Sequence, residues 1–231
     1  MKTCVIVPTL NEKNNVYKLI KKIRKTKIKL DVLFVDDNSN DGTQNEIKYL
    51  KRKFKFINYI FRKNKSGIGS AHKDGIKYCY LKKYDLIITM DSDGTHDPKY
   101  FNQLIKYSKK FDYILTSRFK KNDLIKDWPL ARKFITYTRH ILVKLFLGMN
   151  YDASGAFRCF YTKKIKLRDI LEAKNNEYAF FWEITYLLKK KGYTIYEIPV
   201  HLVFRKLGKS KMKIKHIIYS LFYLFKIFIT K

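Results

Sequence analysis

Five short apolar runs separated by amphipathic stretches constrain this chain more than any other feature. The runs are residues 4–8 (CVIVP), 32–35, 56–61, 86–90 and 113–116. Between them apolar residues recur at helical spacing: Val16, Leu19, Ile20 and Ile23, then Ala71, Ile76 and Tyr80, then Phe101, Leu104 and Ile105. A further helix is predicted from about Thr43 to Arg52, behind the turn Asp41-Gly42. Strands that alternate with helices bury both faces of a sheet, so the expected fold class is α/β with a mainly parallel central sheet flanked by helices. No repeat or low-complexity linker interrupts it.

After Arg118 the pattern changes. Residues 120–128 read as a polar loop and 130–147 as a long, aromatic helix. A helix is expected over about 179–190, a strand over 195–204, then a strongly basic stretch over 205–215. Lys and Arg number 50 against 20 acids, a formal charge of +30 that favours polyanionic partners. Cys4, Cys79 and Cys159 have no metal or disulfide spacing and read as buried thiols. A strand-like start close to Met1 predicts no signal peptide. No apolar run reaches the ~18 residues of a spanning helix. A nucleic-acid binder is the competing class on charge alone, but no zinc spacing, RNP-like motif or basic recognition helix supports it.

The strand at 86–90 stops at Asp91 and Asp93, one small residue apart. In an open parallel sheet the carboxyl ends of strands face the ligand crevice. Two acids this close call for a hard divalent cation, although a DxD alone is also an ordinary turn. Glu12 after the first strand, and Asp36 and Asp37 after the second, add acids at neighbouring strand ends. Together they suggest a nucleotide and its metal, with Asp37 accepting from base or ribose. Gly67-Ile68-Gly69 lacks the third glycine of a dinucleotide fingerprint, since position 72 is His72, and reads as a tight turn by which backbone approaches a ligand. DSDGT also matches the nucleophile motif of haloacid-dehalogenase-type phosphatases, with Asp123 and Asp127 spaced like that family's second acidic pair. The complete βαβαβα unit upstream argues against it.

VIVPTLNE, VDDNSNDGT, GIGSA, MDSDGTHDP, the Ser117-Arg118 pair, SGAFRCF and FRKLGKSK occur in that order. Together they resemble the polyprenyl-phosphate glycosyltransferases of GT-A fold, among them the dolichyl-phosphate mannose synthases. The resemblance runs from Val5 to Met212. It implies a catalytic domain over residues 1–212, in which Pro8, Leu10, Glu12, Val35 and Asp37 hold the nucleotide. Asp91 and Asp93 would bind Mg²⁺ or Mn²⁺ with Ser92 beside them, and Asp93, Arg118, Arg205 and Lys211 would be catalytic. Arg118, Arg205 and Lys211 would contact donor diphosphate or acceptor phosphate. Leu10 and Thr95 depart from the family, which often has Tyr and Gln there.

The implied reaction is inverting transfer of a sugar onto a polyprenyl (dolichyl) phosphate at the cytoplasmic membrane face. Mannose from GDP-mannose is favoured and glucose from UDP-glucose is the alternative. A lipid phosphate is already an anion and needs no general base, which suits a site without a His–acid pair. His96 reads as a local structural residue, and Glu183 as an orienting partner for a base such as Arg158. In the tail, residues 213–231, Ile214, Ile217, Ile218, Leu221, Phe222, Phe225, Phe228 and Ile229 form one stripe, with Lys215, Tyr219, Tyr223 and Lys226 opposite. Such a C-terminal amphipathic helix suits an anionic membrane surface or packing on the core. Expected partners are thus a nucleotide-sugar donor, the lipid acceptor, the membrane surface and a small membrane-anchoring subunit.

Overall fold

Each expected apolar run forms a strand. The computed structural model describes residues 1–120, 125, 128–203, 211–212 and 214–230. In chain order the elements are β1 (Thr3–Thr9), α1 (Lys13–Lys25), β2 (Asp31–Asp36), α2 (Thr43–Lys53), β3 (Ile57–Phe61), α3 (Ile68–Leu81) and β4 (Leu86–Thr89). A 3₁₀ turn (Pro98–Tyr100) then runs into α4 (Phe101–Ser108) and β5 (Tyr113–Ser117). They are followed by α5 (Leu130–Leu147), β6 (Arg158–Tyr161), α6 (Leu167–Leu171), α7 (Phe180–Lys190), β7 (Ile195–Pro199) and α8 (Ile214–Ile229).

The sheet order is β3-β2-β1-β4-β6-β5-β7. All pairings are parallel except those of β6, which runs antiparallel to both β4 and β5. Residues along β1 alternate between two cores, as the pleat requires. Val5 and Val7 pack with Leu19, Ile47 and Leu104 on one face, whereas Cys4 and Ile6 pack with Ala71, Ile76 and Ile184 on the other. All three cysteines are free and buried.

The order brings β2, β1 and β4 side by side, so Asp37, Glu12 and Asp91 leave neighbouring strands at one edge. The glycines at the start of α3 serve packing. Gly67 has φ +92°, and a Cβ there would lie 2.5 Å from the Asn176 carbonyl oxygen; a Cβ on Gly69 would lie 2.6 Å from the Phe180 Cβ. The turn expected to approach a ligand is pressed against the entry to α7, and its Ser66, Gly67 and Ile68 also line the cavity described below.

A third, smaller core joins α5, α7 and α8 through Val143, Leu147, Trp182 and Leu224. The packed face of α8 differs from the expected stripe. Ser220 accepts from Trp182 Nε1 at 3.2 Å, Tyr223 donates to Glu183 at 2.8 Å, and Leu224 is buried. Phe225 and Phe228 touch Phe146, while Ile214, Ile218, Phe222 and Ile229 stay exposed. On α5, Leu130, Phe134, Tyr137, Ile141 and Leu145 are likewise exposed. Among the described residues no helix is long and apolar enough to cross a membrane.

Candidate active site

A cavity of about 830 Å³ lies at the carboxyl ends of β1, β2 and β4. Pro8, Leu10, Glu12, Asp37, Asp91, Ser92, Asp93, Arg118 and Lys211 all line it. Val35 does not. Its side chain is fully buried in the core beneath α3, 3.2 Å from where a Cβ on Gly75 would sit, and serves packing there. Arg205, and the Asp123/Asp127 pair, lie outside the described residues.

The two acids after β2 face opposite ways, as successive residues of an extended chain do. Asp36 points inward and accepts from Thr9, Ser39 and Gln44 side chains, tying β1 to the following loop. Asp37 faces the cavity edge, where it accepts from Arg62 Nη1 (2.8 Å) and from the backbone N–H groups of Ser66 and Gly67 (3.0 and 3.1 Å). It thereby shapes the turn at Ser66 and Gly67. Glu12 is buried and accepts from the Asn15 side chain at 2.5 Å.

Beyond β4, Asp93 Oδ1 accepts from both the backbone N and the hydroxyl of Thr95 (3.0 and 2.7 Å). His96 Nδ1 accepts from the Asp91 backbone N–H at 2.9 Å, and the ring stacks on Phe157. Burial pulls the His96 pKa down to about 4, with Asp93 opposing the shift and Arg118 adding to it. This neutral ring fixes the turn that presents both acids. Among the described residues no cluster of three or more His, Cys, Asp or Glu side chains is disposed to hold a metal. Two carboxylates at a cavity wall still fit Mg²⁺ or Mn²⁺, since such ions take one or two carboxylates and leave other positions to substrate phosphate and water.

The cavity lining also carries basic groups. Arg118 donates through its backbone N (2.9 Å), Nε (2.7 Å) and Nη2 (2.5 Å) to Asp152, and Nη2 also reaches Ser154 at 2.6 Å. Burial opposes the charge of Arg118, but Asp152 more than offsets it and the pKa is raised. Asp152 in turn accepts this pair while its own N–H donates to Glu197 at 2.5 Å. Burial and the neighbouring Asp152 carboxylate push the Glu197 pKa up. Lys211 Nζ lies 3.4 Å from the Asn11 carbonyl, which brings it to the same side as Leu10 and Glu12. Arg132, Thr136 and Arg139 of α5 complete the wall.

Sequence and fold comparisons follow the same lines. The profile described as Glycosyl transferase family 2 matches residues 4–173. The chain belongs to glycosyl transferase family 2. This glycosyltransferase is 28% identical to the undecaprenyl-phosphate mannosyltransferase of Micrococcus luteus over 92% of its own length and 88% of the relative's. It is 26% identical to the polyprenol monophosphomannose synthase of Mycolicibacterium smegmatis, over 91% of its length and 81% of that protein's. Its fold matches glucosyl-3-phosphoglycerate synthase of Mycobacterium tuberculosis, solved with Mn²⁺, UDP and product, with a TM-score of 0.61 at 13% identity, covering 96% and 79% of the two chains. The GT-A fold expected from the motifs is the one present, and the phosphatase reading of Asp91 falls away with the family assigned.

One expectation about the pairing of Glu183 is corrected by the geometry. Glu183 does not orient Arg158. It accepts from the backbone N–H groups of Lys174 and Asn175, both at 2.9 Å, and from Tyr223. Arg158 is buried and donates to the carbonyls of Gly155 and Ala153 and to Tyr113, which pins the 153–155 loop under the site. Sequence reading also passed over Arg132, Thr136 and Arg139. Their i, i+4, i+7 spacing on a helix otherwise rich in exposed apolar residues was the available signal.

Proposed function

We propose that this glycosyltransferase moves mannose from GDP-mannose to a polyprenyl (dolichyl) phosphate, with inversion, while resting peripherally on the cytoplasmic face of a membrane. The carrying observation is a cavity lined by both carboxylates and cationic side chains, bounded by two helices that expose apolar outer faces. Ile135, Thr136 and Arg139 of α5 and Ile214, Lys215 and His216 of α8 all line it. A lipid acceptor lying along those helices would reach the cavity with its phosphate first. The names of the two bacterial relatives, both polyprenyl-phosphate mannose enzymes, support the same reading.

The donor's diphosphate belongs at the acidic wall, with the nucleoside toward Pro8, Leu10, Glu12 and Asp37. Asp91 and Asp93 would hold Mg²⁺ or Mn²⁺ there, which when bound neutralises the charge that builds on the leaving diphosphate. An oxygen of the acceptor phosphate forms the new bond to the anomeric carbon as the bond to the donor's diphosphate oxygen breaks. That oxygen is already anionic at neutral pH, so the protein's task is positioning and charge stabilisation. Lys211 serves the diphosphate side. Arg118, fixed by Asp152 and Ser154, shapes the cationic part of the lining; the family resemblance assigns Arg205 a phosphate contact. Residues 1–212 form the catalytic body and 213–231 the interfacial segment.

The deciding experiment offers purified protein, polyprenyl phosphate and Mg²⁺ or Mn²⁺ with either labelled GDP-mannose or UDP-glucose, and follows label in the lipid phase. Mannolipid from GDP-mannose is the expected product. Glucolipid from UDP-glucose would replace the donor assignment, and no lipid product from either would overturn the reading.

A further inference from the structure

We propose that Arg139 on α5 is the residue that receives the acceptor's phosphate, because it lines the cavity as a guanidinium with no anion of its own. The inference rests on the lipid-phosphate acceptor proposed above and names the side chain that binds it. Arg118 is the cation that the sequence motifs single out, yet its charge is already matched by Asp152 through three hydrogen bonds. Asp152 is the carboxylate nearest this wall that is committed as an ion, and Arg118 occupies both of its oxygens.

Arg139 has no such partner. Its Nε is buried with no hydrogen bond, and among the described residues it forms no ion pair. Buried polar groups are nearly always satisfied, and a buried charge without a counter-ion is costly. Burial, with help from Arg118 and Arg132 and opposed by the more distant Asp152 carboxylate, brings its pKa down to about 10, so the guanidinium remains charged at neutral pH. Arg132 lines the same wall and sits 4.6 Å over the Trp128 ring. His140 adds no opposing charge: burial lowers its pKa, and the ring stacks on Phe119. Asp152 is thus held by Arg118 through hydrogen bonds and reaches Arg139 only through space, so a phosphate would give Arg139 an anion at hydrogen-bond distance.

The position distinguishes acceptor from donor. Arg139 lies on the stripe of α5 that faces the cavity, three residues beyond Thr136, whose hydroxyl adds a neutral donor on the same wall. Two residues before Arg139 and two after it, Tyr137 and Ile141 sit on the exposed apolar stripe. A phosphate bound here therefore has its lipid chain beside the apolar outer surface, while Leu10, Glu12 and Asp37, assigned above to the nucleoside, come from the ends of β1 and β2 and not from α5. An Arg fork also matches two phosphate oxygens at once, which a lysine does not.

The test compares full-length wild type with Arg139→Gln and Arg139→Lys. Thermal shifts are read with farnesyl phosphate and, separately, with GDP plus Mg²⁺; KM is then measured for acceptor and for donor. Arg139→Gln should weaken farnesyl phosphate binding and raise the acceptor KM by about ten- to hundredfold, the scale of a lost charged hydrogen-bond pair. GDP binding and donor KM should stay within about twofold. Arg139→Lys, which keeps the charge but not the fork, should fall between. Unchanged farnesyl phosphate binding in Arg139→Gln, or equal losses for donor and acceptor, would overturn the role of Arg139 while leaving the acceptor reading intact. Wild type that binds no farnesyl phosphate would instead overturn the acceptor reading itself.

Discussion

Asp152 is the single side chain whose neutralisation should cost this fold most. It is 2% exposed and accepts three hydrogen bonds from Arg118, itself buried. Asp152→Asn keeps the shape but turns one acceptor into an N–H group facing a guanidinium. Removing one partner of a buried ion pair costs roughly 3–5 kcal/mol, because the other charge stays buried and uncompensated. For a chain of this size about 2–4 °C is lost per kcal/mol, so Tm should drop by roughly 6–20 °C. Replacing both partners, as Arg118→Met with Asp152→Leu, should recover part of that loss, since no lone charge is left. The pH dependence carries the sign. Burial alone would raise the Asp152 pKa, but the Arg118 charge and hydrogen bonds lower it below the ordinary value. The stabilisation is therefore complete above the unfolded carboxylate range near pH ~4, and is lost as pH falls through the lower folded value. Guanidinium unfolding of wild type and Asp152→Asn at several pH values reads both quantities. A cost under about 1 kcal/mol at pH 7, or a difference that decays between pH 8 and 5, would refute the ion-pair argument.

Three further outcomes are expected. Asp93→Asn keeps the oxygen that accepts from Thr95 and should unfold like wild type, yet lose most sugar transfer; full turnover in that variant or in chelator would count against the metal assignment. His72 is buried without hydrogen-bond partners, and burial brings its pKa down to about 3. The unfolded chain takes up that proton first, so stability is whole above pH ~6.5, falls by about 2 kcal/mol at pH 5 and by roughly 4 kcal/mol near pH ~3. His72→Leu should flatten that slope in urea titrations, and an unchanged slope would refute it. Serine at both Phe134 and Phe222, 72% and 71% exposed, should weaken flotation with anionic vesicles severalfold, and undiminished flotation would show that these faces do not meet lipid.

The sequence was most legible where local chemistry decides position. Apolar runs became strands, and the acids that end them became the cavity's acidic wall, because strand polarity delivers residues at a strand's end to one edge. It was less legible where distant residues choose partners. Asp152 lies 34 positions from Arg118, and nothing local says that they pair. The four residues of β6 are too few to show a period, and its antiparallel insertion between β4 and β5 depends on the loop that Arg158 pins. Asp36 and Asp37 look equivalent in sequence, yet strand alternation turns one inward and the other outward, a reading that was available. On α8 the apolar stripe left a membrane surface and packing on the core as alternatives; Tyr223, Ser220 and Leu224 pack on the chain, since Glu183 and Trp182 meet the two polar residues with hydrogen bonds, and most of the stripe stays exposed.

Helix α5 carries these observations to one conclusion about how such a site would meet its acceptor. Its stripe at Arg132, Thr136 and Arg139 lines the cavity, Val143 and Leu147 pack on the third core, and Leu130, Phe134, Tyr137, Ile141 and Leu145 remain exposed. A helix with its side chains is about 10–12 Å across, so the cavity face and the apolar outer face are separated by little more than that. On the proposed reading a polyprenyl phosphate reaches the basic wall with its chain still beside the helix surface, and no extraction into a deep pocket is needed. Helix α8 is about 24 Å long at 1.5 Å per residue, short of a ~30 Å hydrocarbon core. It therefore suits the interface plane beside α5, held there by Phe146, Phe225 and Phe228. The chain's charge of +30 adds attraction to anionic lipid that salt screens. Apolar contact and charge would then both orient the cavity mouth toward the lipid phosphates, and the salt dependence of vesicle binding separates their shares.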